Sequence, residues 1–322
     1  MKPCFKFRSQ TISFNEPTKI AGIVNVTPDS FSDGGHWFGK EAAVKHALEL
    51  IDQGADMLDI GGESTRPGST YVQIQEEIDR VIPVIKSLKE KTDIPLSIDT
   101  WKAPVAKAAI DAGIDMINDI TGFLGDSEMA QVVSQSNVGA ILMFNPVIAR
   151  PNHPGSKIFP HFGEGSAFTE QELSENLELP ITELMIKYFK KGIQQAQKAG
   201  LPAERLILDP GIGFGLTMKE NLQLIQHINI IHDLGYSAYL GVSRKRFIQH
   251  IIGDLGYEND PATQEGFANR DLASSYLSAI AQMQDVQVVR THSIKEHRLA
   301  LAVASHVHYS DKEDDINFAA YK

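Results

Sequence analysis

Polar and charged side chains in this 322-residue chain gather where short apolar runs end. Asn25 sits in "VNVTPDS", Glu63, Ser64, Thr65 and Arg66 in "GGESTRPG", and Asp99 in "SIDT". Asn118 and Asp119 follow in "MINDI", Asp209 in "LDPGIGFG", Lys245 in "GVSRKRF", and Arg290 with His292 in "VVRTH". One polar residue leaving a strand is commonly a turn former or a helix cap. Here seven of eight apolar runs end this way, which points to convergence on one site. The chemistry divides in two. Asp99, Asn118 and Asp209 are acceptors or mixed donor–acceptors, suited to the NH-rich edge of a flat heterocycle. Arg66, Lys245, Arg290 and His292 are cations or potential cations, suited to a phosphate or pyrophosphate. "GxxxxGK[ST]" is absent, so a P-loop ATPase is not supported.

The elements that must position these residues are legible from periodicity. Nearly continuous apolar runs fall at 19–26, 56–60, 94–99, 115–119, 139–144, 205–209, 237–242 and 286–290, as for parallel strands buried on both faces. Helical spacing of three and four fills 41–55, 75–90, 103–113, 181–200, 266–284 and 294–308, several ending at glycine. Eight alternating βα units predict an α/β fold, a single-domain (β/α)₈ TIM barrel over 19–308; a doubly wound open sheet stays open because counting strands does not show closure. Such barrels carry their sites at the C-terminal ends of the strands, where the polar clusters lie. Residues 1–18 read as an N-terminal extension with a mobile start and 309–322 as an acidic, solvated tail. Residues 145–176 lack periodicity and are rich in Pro, Gly and His, the mark of a functional or disordered insert. His153 and His161 within it are read as solvated rather than as a lid, and "HVH" at 306–308 as surface rather than metal-binding.

The totals bound the function. With 42% hydrophobic and 22% charged residues the composition is that of a globular protein, and no run of ~18 apolar residues exists to span a membrane. A net charge of −11 argues against a nucleic-acid partner, so any anionic ligand needs a local cluster of cations. Cys4 is the single cysteine; no disulfide can form within the chain, and the N-terminus lacks a secretory h-region, so the expected location is cytoplasmic.

Together, "GIVNVTPDSFSDGG", "DIGGESTRPGS", "SIDT", "INDI", "LDPGIGFG" and "SRKRFI" resemble the dihydropteroate synthase family, in the family's order from residue 20 to about 300. The resemblance implies a (β/α)₈ homodimer. It also implies condensation of 6-hydroxymethyl-7,8-dihydropterin pyrophosphate with 4-aminobenzoate in folate biosynthesis, on a sulfonamide target. Carried over by motif, it implies pterin binding by Asp99, Asn118, Met143, Asp209 and Lys245, with Asp99, Asp209 and Lys245 catalytic. It implies Asn25 as the holder of Mg²⁺ with the pyrophosphate, which Thr65, Arg66, Arg290 and His292 approach. Phe31, Thr65, Pro67, Phe214, Ser243 and Lys245 are implied for the aminobenzoate.

Two positions depart from the family's pattern. "LMHM" becomes "LMFN", placing Phe144 where an imidazole is usual, and "RVHDV" becomes "RTHSI", placing Ser293 after His292. The first puts a polar contact in doubt; the second removes an acid that could orient the imidazole and raise its pKa. A methyltetrahydrofolate-dependent methyltransferase would share the pterin-binding barrel but leave "ESTRPG", "SRK" and "RTH" without a phosphate to bind. A non-catalytic pterin-binding paralogue finds support only in Phe144 and Ser293.

Overall fold

The computed structural model describes residues 2–27, 36–163 and 165–318. A short antiparallel hairpin, β1 (Cys4–Phe7) and β2 (Gln10–Ser13), precedes eight parallel strands. These are β3 (Lys19–Asn25), β4 (Met57–Gly61), β5 (Leu96–Asp99), β6 (Met116–Asp119), β7 (Gly139–Met143), β8 (Leu206–Asp209), β9 (Ser237–Gly241) and β10 (Val288–Thr291). They close into a barrel in chain order, because β10 pairs with both β9 and β3. The barrel is therefore confirmed and the open sheet excluded. Around it run α1 (His36–Asp52), α2 (Ile74–Lys89), α3 (Ala103–Asp111), α4 (Met129–Ser134), α5 (Pro146–Ala149) and α6 (Glu170–Glu178). The ring continues with α7 (Ile181–Lys198), α8 (Met218–Gln226), α9 (Asn229–Asp233), α10 (Arg246–Asp254), α11 (Gln264–Met283) and α12 (Lys295–His308).

Strand side chains alternate between faces, and the core divides accordingly. Leu58, Ile60, Ile98, Ile117, Leu142, Leu208, Leu240 and Val289 join the large core under the helices. Ala21, Met57, Met116, Ile141, Ile207, Tyr239 and Val288, on the other parity, form a separate cluster inside the barrel with Phe5, Phe7 and Ile12 of the hairpin. The N-terminal segment is thus not a mobile extension, as the sequence reading expects, but the floor of the barrel. Phe5 and Phe7 are buried while Lys6 between them is exposed, a period of two too short to register as a strand. Arg8 locks the hairpin in place through Asp115 (3.1 Å), and Cys4 lies at this end, away from the strand C-termini.

The insert also has structure. It begins with α5, whose Asn145 side chain caps Val147, and ends in α6, whose Thr169 and Glu172 form a capping box. Arg150, buried, makes a bidentate ion pair with Glu220 of α8 (2.6 and 2.7 Å). Between these helices Pro151, Pro154 and Gly165 are exposed, while Ser156, Phe162 and Phe168 are buried and anchor the turns.

Candidate active site

On six of the eight barrel strands the parity that points inward brings a polar side chain towards the C-terminal mouth: Asn25, Asp59, Asp99, Asn118, Asp209 and Arg290. On β7 and β9 it ends at Met143 and Gly241. Asp59, two residues beyond Met57, is fully buried inside the barrel. It accepts hydrogen bonds from Ser97 Oγ (2.5 Å) and Asn118 Nδ2 (3.1 Å) and pairs with Arg290 Nε. Arg290 Nη2 donates to Asp99 Oδ2 (2.8 Å). One guanidinium on the last strand, β10, therefore ties itself to the adjacent strands β4 and β5. Burial works against its charge, yet Asp59 and Asp99 hold its pKa above the ordinary value. A guanidinium has five N–H donors, so donors remain for a ligand. Burial pushes the Asp99 carboxyl above its usual range, Arg290 pulls it back, and the nearby Asp59 carboxylate adds to the rise.

Asp209 stands at the end of β8, its Oδ1 accepting from the Gly211 backbone N–H (2.7 Å). That turn needs glycine: Gly211 has φ +71°, and a Cβ there would sit 1.9 Å from the Phe144 carbonyl oxygen. Burial pushes Asp209 up to about 6, partly offset by the Gly211 hydrogen bond and the Lys245 ammonium. Lys245 itself is brought down to about 8, by burial first and then by Arg290 and Arg66, against the attraction of Asp209. Its ammonium lies 5.4 Å from the centre of the Phe214 ring. Two strands end in glycine beside these acids. A Cβ at Gly61 would meet Asp99 Cβ at 3.7 Å and Asn25 Oδ1 at 3.8 Å, and one at Gly241 would meet Asp209 Oδ2 at 3.7 Å. With glycine at both positions, no side chain is added beside Asp99 or Asp209 from these strand ends.

The phosphate-binding candidates form a positive rim. His292 Nδ1 lies 3.0 Å from Ser243 Oγ, which also accepts from the His292 backbone N–H (3.1 Å). Burial, then Arg244, Arg290, Arg66 and Lys245, keep His292 well below its usual pKa, so it is neutral at pH 7 in the free protein. The sequence reading counts it as a potential cation; it becomes one only when an anion offsets those neighbours. Ser243, rather than the residue at 293, orients the ring, so the absence of an acid at Ser293 does not leave the imidazole without a partner. Arg244, in the left-handed region at φ +57°, turns away to a bidentate pair with Asp271 (2.6 and 2.8 Å).

The segment bearing Thr65, Arg66 and Pro67 leaves β4 and is pinned at its two ends. Glu63 accepts from Val72 N–H (2.8 Å), from Trp101 Nε1 (3.1 Å) and from Lys102 Nζ (3.0 Å). Lys102, 2% exposed, also donates to the Val72 carbonyl (2.6 Å) and to Glu77 (2.7 Å), which is fully buried. Thr65 is half-buried, while Arg66 and Pro67 are exposed.

The structure thus brings Asp99, Asn118, Met143, Asp209, Ser243, Lys245, Arg290 and His292 to one mouth, with Asn25 and Phe214 on its edge. Met143 is buried against Trp101 and Ile120. Phe31 lies outside the described residues. Two strand-end residues are not in the mouth. Asp119, on the outward parity, accepts from Thr121 N–H (2.7 Å), Thr121 Oγ1 (2.6 Å) and Phe123 N–H (2.9 Å) and shapes its own loop. Phe144 is fully buried against Tyr188 and Phe189 under the helices, so its departure from the family's pattern is a matter of core packing. Asp59, Trp101 and Lys102 were not singled out from sequence. An acid in the middle of the apolar run "MLDI" is the signal that could have found the first. His306 and His308 pair with Glu313 (2.7 Å) and Asp285 (2.9 Å), and no metal-binding cluster of His, Cys, Asp or Glu occurs among the described residues.

Comparison with known proteins agrees with this geometry. Residues 21–292 match the pterin-binding enzyme family. The dihydropteroate synthase of Clostridium beijerinckii is 44% identical over 76% of this chain and 80% of its own length. That of Bacillus subtilis is 37% identical over 90% and 88%. The chain belongs to the dihydropteroate synthase family. Among solved members, the Clostridium difficile enzyme in the presence of pteroic acid superposes with a TM-score of 0.75 at 35% identity, covering 91% of this chain and 98% of that one. The Xanthomonas albilineans dihydropteroate synthase with 4-aminobenzoic acid gives 0.75 at 35% identity over 95% and 98%. A dihydropteroate synthase needs one seat for a flat heterocycle and one for its anionic leaving group. The acid cluster and the positive rim have the chemistry of those two seats.

Proposed function

We propose that this chain condenses 6-hydroxymethyl-7,8-dihydropterin pyrophosphate with 4-aminobenzoate, giving 7,8-dihydropteroate and pyrophosphate. The observation that carries the reading is the adjacency of Asp99, Asn118 and Asp209 to Lys245, Arg290 and His292 at one barrel mouth, beneath two glycine strand ends. The acids and the amide accept from the ring N–H and exocyclic amine of the pterin, and Met143 with Trp101 offers its apolar wall. Arg66, Arg290, His292 and Thr65 receive the pyrophosphate. Its arrival lets His292 take up a proton, because it neutralises the cations that keep the ring uncharged.

The C–O bond to pyrophosphate breaks with its electron pair leaving on the phosphate oxygen. The methylene cation left behind is delocalised by the ring nitrogens and stabilised by the Asp99 and Asp209 carboxylates. The aminobenzoate nitrogen, held between Pro67, Phe214, Ser243 and Lys245, attacks that carbon, and a proton leaves the nitrogen. No enzyme nucleophile is required. Asn25 suits Mg²⁺: its side-chain amide offers a hard oxygen, and Gly61 beside it adds no side chain, where a Cβ would stand 3.8 Å from that oxygen. Asn25 and the pyrophosphate oxygens would hold the ion, which supplies charge neutralisation of the leaving group.

We further read the chain as a cytoplasmic homodimer. The apolar face shared by α11 and α12 supports the dimer, and the lone cysteine supports the location. Among the described residues no helix is long and apolar enough to cross a membrane. The deciding experiment is pyrophosphate release by the purified protein with Mg²⁺ and the pterin pyrophosphate, with and without 4-aminobenzoate. Release that needs aminobenzoate and drops at least about a hundredfold in Lys245→Ala is expected, the loss of one preorganised charge. Pterin binding without turnover would instead make the chain a binding paralogue.

A further inference from the structure

The insert after β7 packs directly on the mouth. Val147 and Phe162 are buried with Trp101, Ile120 and Met143, and Ile148, Phe159 and Phe214 pack half-buried on that cluster. Two neighbouring residues reach further. The carbonyl of Ile158 accepts a hydrogen bond from the backbone N–H of Gly68 (3.3 Å), the residue after Pro67. The ring of Phe159 stacks on Phe214, with centroids 5.7 Å apart and planes 26° apart. The insert is itself held to the Phe214 loop, since Arg150 pairs with Glu220 and donates to the Gly215 carbonyl (3.2 Å). Ser156 and Phe159 close successive turns onto His153 (2.9 Å) and Ser156 (3.0 Å), fixing where the dipeptide falls.

We propose that Ile158 and Phe159 form a positioning clamp that sets the width of the arylamine subsite, holding Pro67 through Gly68 and Phe214 through ring stacking. The inference rests on the reading that the amine packs between Pro67 and Phe214. Neither clamp residue reacts; the clamp acts by fixing two walls contributed by different loops, so that a flat ring finds its slot preformed.

The test is steady-state kinetics of Phe159→Ala and Phe159→Leu, with KM measured separately for 4-aminobenzoate and for the pterin pyrophosphate. Losing one aromatic stack should raise the aminobenzoate KM about three- to tenfold. The pterin KM and kcat should stay within about twofold. Phe159→Tyr, which keeps the ring, should restore the wild-type value. In a Phe214→Ala background the Phe159→Ala effect should largely vanish, since the clamp works through that ring. Phe159→Leu keeps apolar bulk and guards against a variant that merely unfolds. An unchanged aminobenzoate KM in both variants, or additive effects with Phe214→Ala, would overturn the clamp while leaving the synthase reading intact. Absence of aminobenzoate-dependent turnover in the unaltered protein would overturn both.

Discussion

The chemistry of the mouth turns on how few counter-charges are shared among many acids. Asp59, Asp99 and Asp209 face Arg290 and Lys245 at the largely buried mouth of the barrel, so each group's charge depends on its neighbours'. Asp99 and Asp209, raised by burial to about 7 and about 6, are ionised above those pH values, and Lys245, lowered to about 8 by burial, is protonated below that pH. All three are charged only between the values of Asp99 and Lys245. The kcat/KM for the pterin pyrophosphate should follow a bell with limbs near those values, since that ratio reports the free enzyme. Asp59 touches no proposed ligand, but its carboxylate raises both Asp99 and Asp209 and neutralises Arg290. Asp59→Asn should therefore move the acid limb to lower pH, because one negative neighbour is gone and Arg290 is freed to favour the remaining carboxylates. It should also lower stability by about 3–5 kcal/mol, as breaking a buried ion pair does. An acid limb that stays in place or moves upward in that variant would contradict the electrostatic account.

At the level of elements, the site depends on loops held by contacts distant from the ligand. The Thr65–Pro67 segment hangs from Lys102, whose three ammonium hydrogens are taken by Glu63, Glu77 and Val72. Lys102→Met keeps the length of the side chain and leaves two carboxylates without their cation. Unfolding in denaturant should show a loss of about 3–5 kcal/mol. Aminobenzoate KM should rise more than pterin KM, since Pro67 sits on the released loop. Equal changes in both constants would mean that the network supports the barrel rather than the loop. Much of this level was legible in the sequence. The eight apolar runs are the eight barrel strands, and most strand-end polar residues meet at one mouth. What escaped follows from parity and from distance along the chain. Counting alternate residues from Asn118 or from Met143 places Asp119 and Phe144 on the helix side. The hairpin was missed because four-residue strands carry little periodicity, and its burial depends on a barrel floor built from residues as far away as Val288. Lys102 does not stand out in the sequence because nothing local announces that Glu63 and Glu77 converge on it.

For the whole molecule, the remaining question is what covers the outer face of the last two helices. Leu272, Tyr276, Ile280 and Met283 line one side of α11 at spacings of four, four and three, each 44–60% exposed. Leu299, Val303 and Val307 line α12 at a spacing of four, each 60–67% exposed. The two helices pack against each other, so these stripes make one apolar face. A net charge of −11 keeps two copies apart unless a contact is largely uncharged, which this face is. A two-fold axis through it would bury the same residues on both subunits, the self-complementary arrangement of most homodimers. α11 also carries Asp271 and Arg270, which hold Arg244 of the "SRK" segment through its side chain and its carbonyl (2.8 Å). Dimerisation would therefore brace the helix behind the positive rim. Val303→Glu with Tyr276→Glu places a charge at the centre of each stripe, at positions that touch no proposed ligand. Sedimentation should shift from dimer to monomer, and turnover should fall severalfold with retained far-ultraviolet dichroism, because the rim loses its support. A variant that stays dimeric would put the interface elsewhere on the barrel. A monomer with unchanged kcat and unchanged affinity for pyrophosphate would separate the assembly from the site.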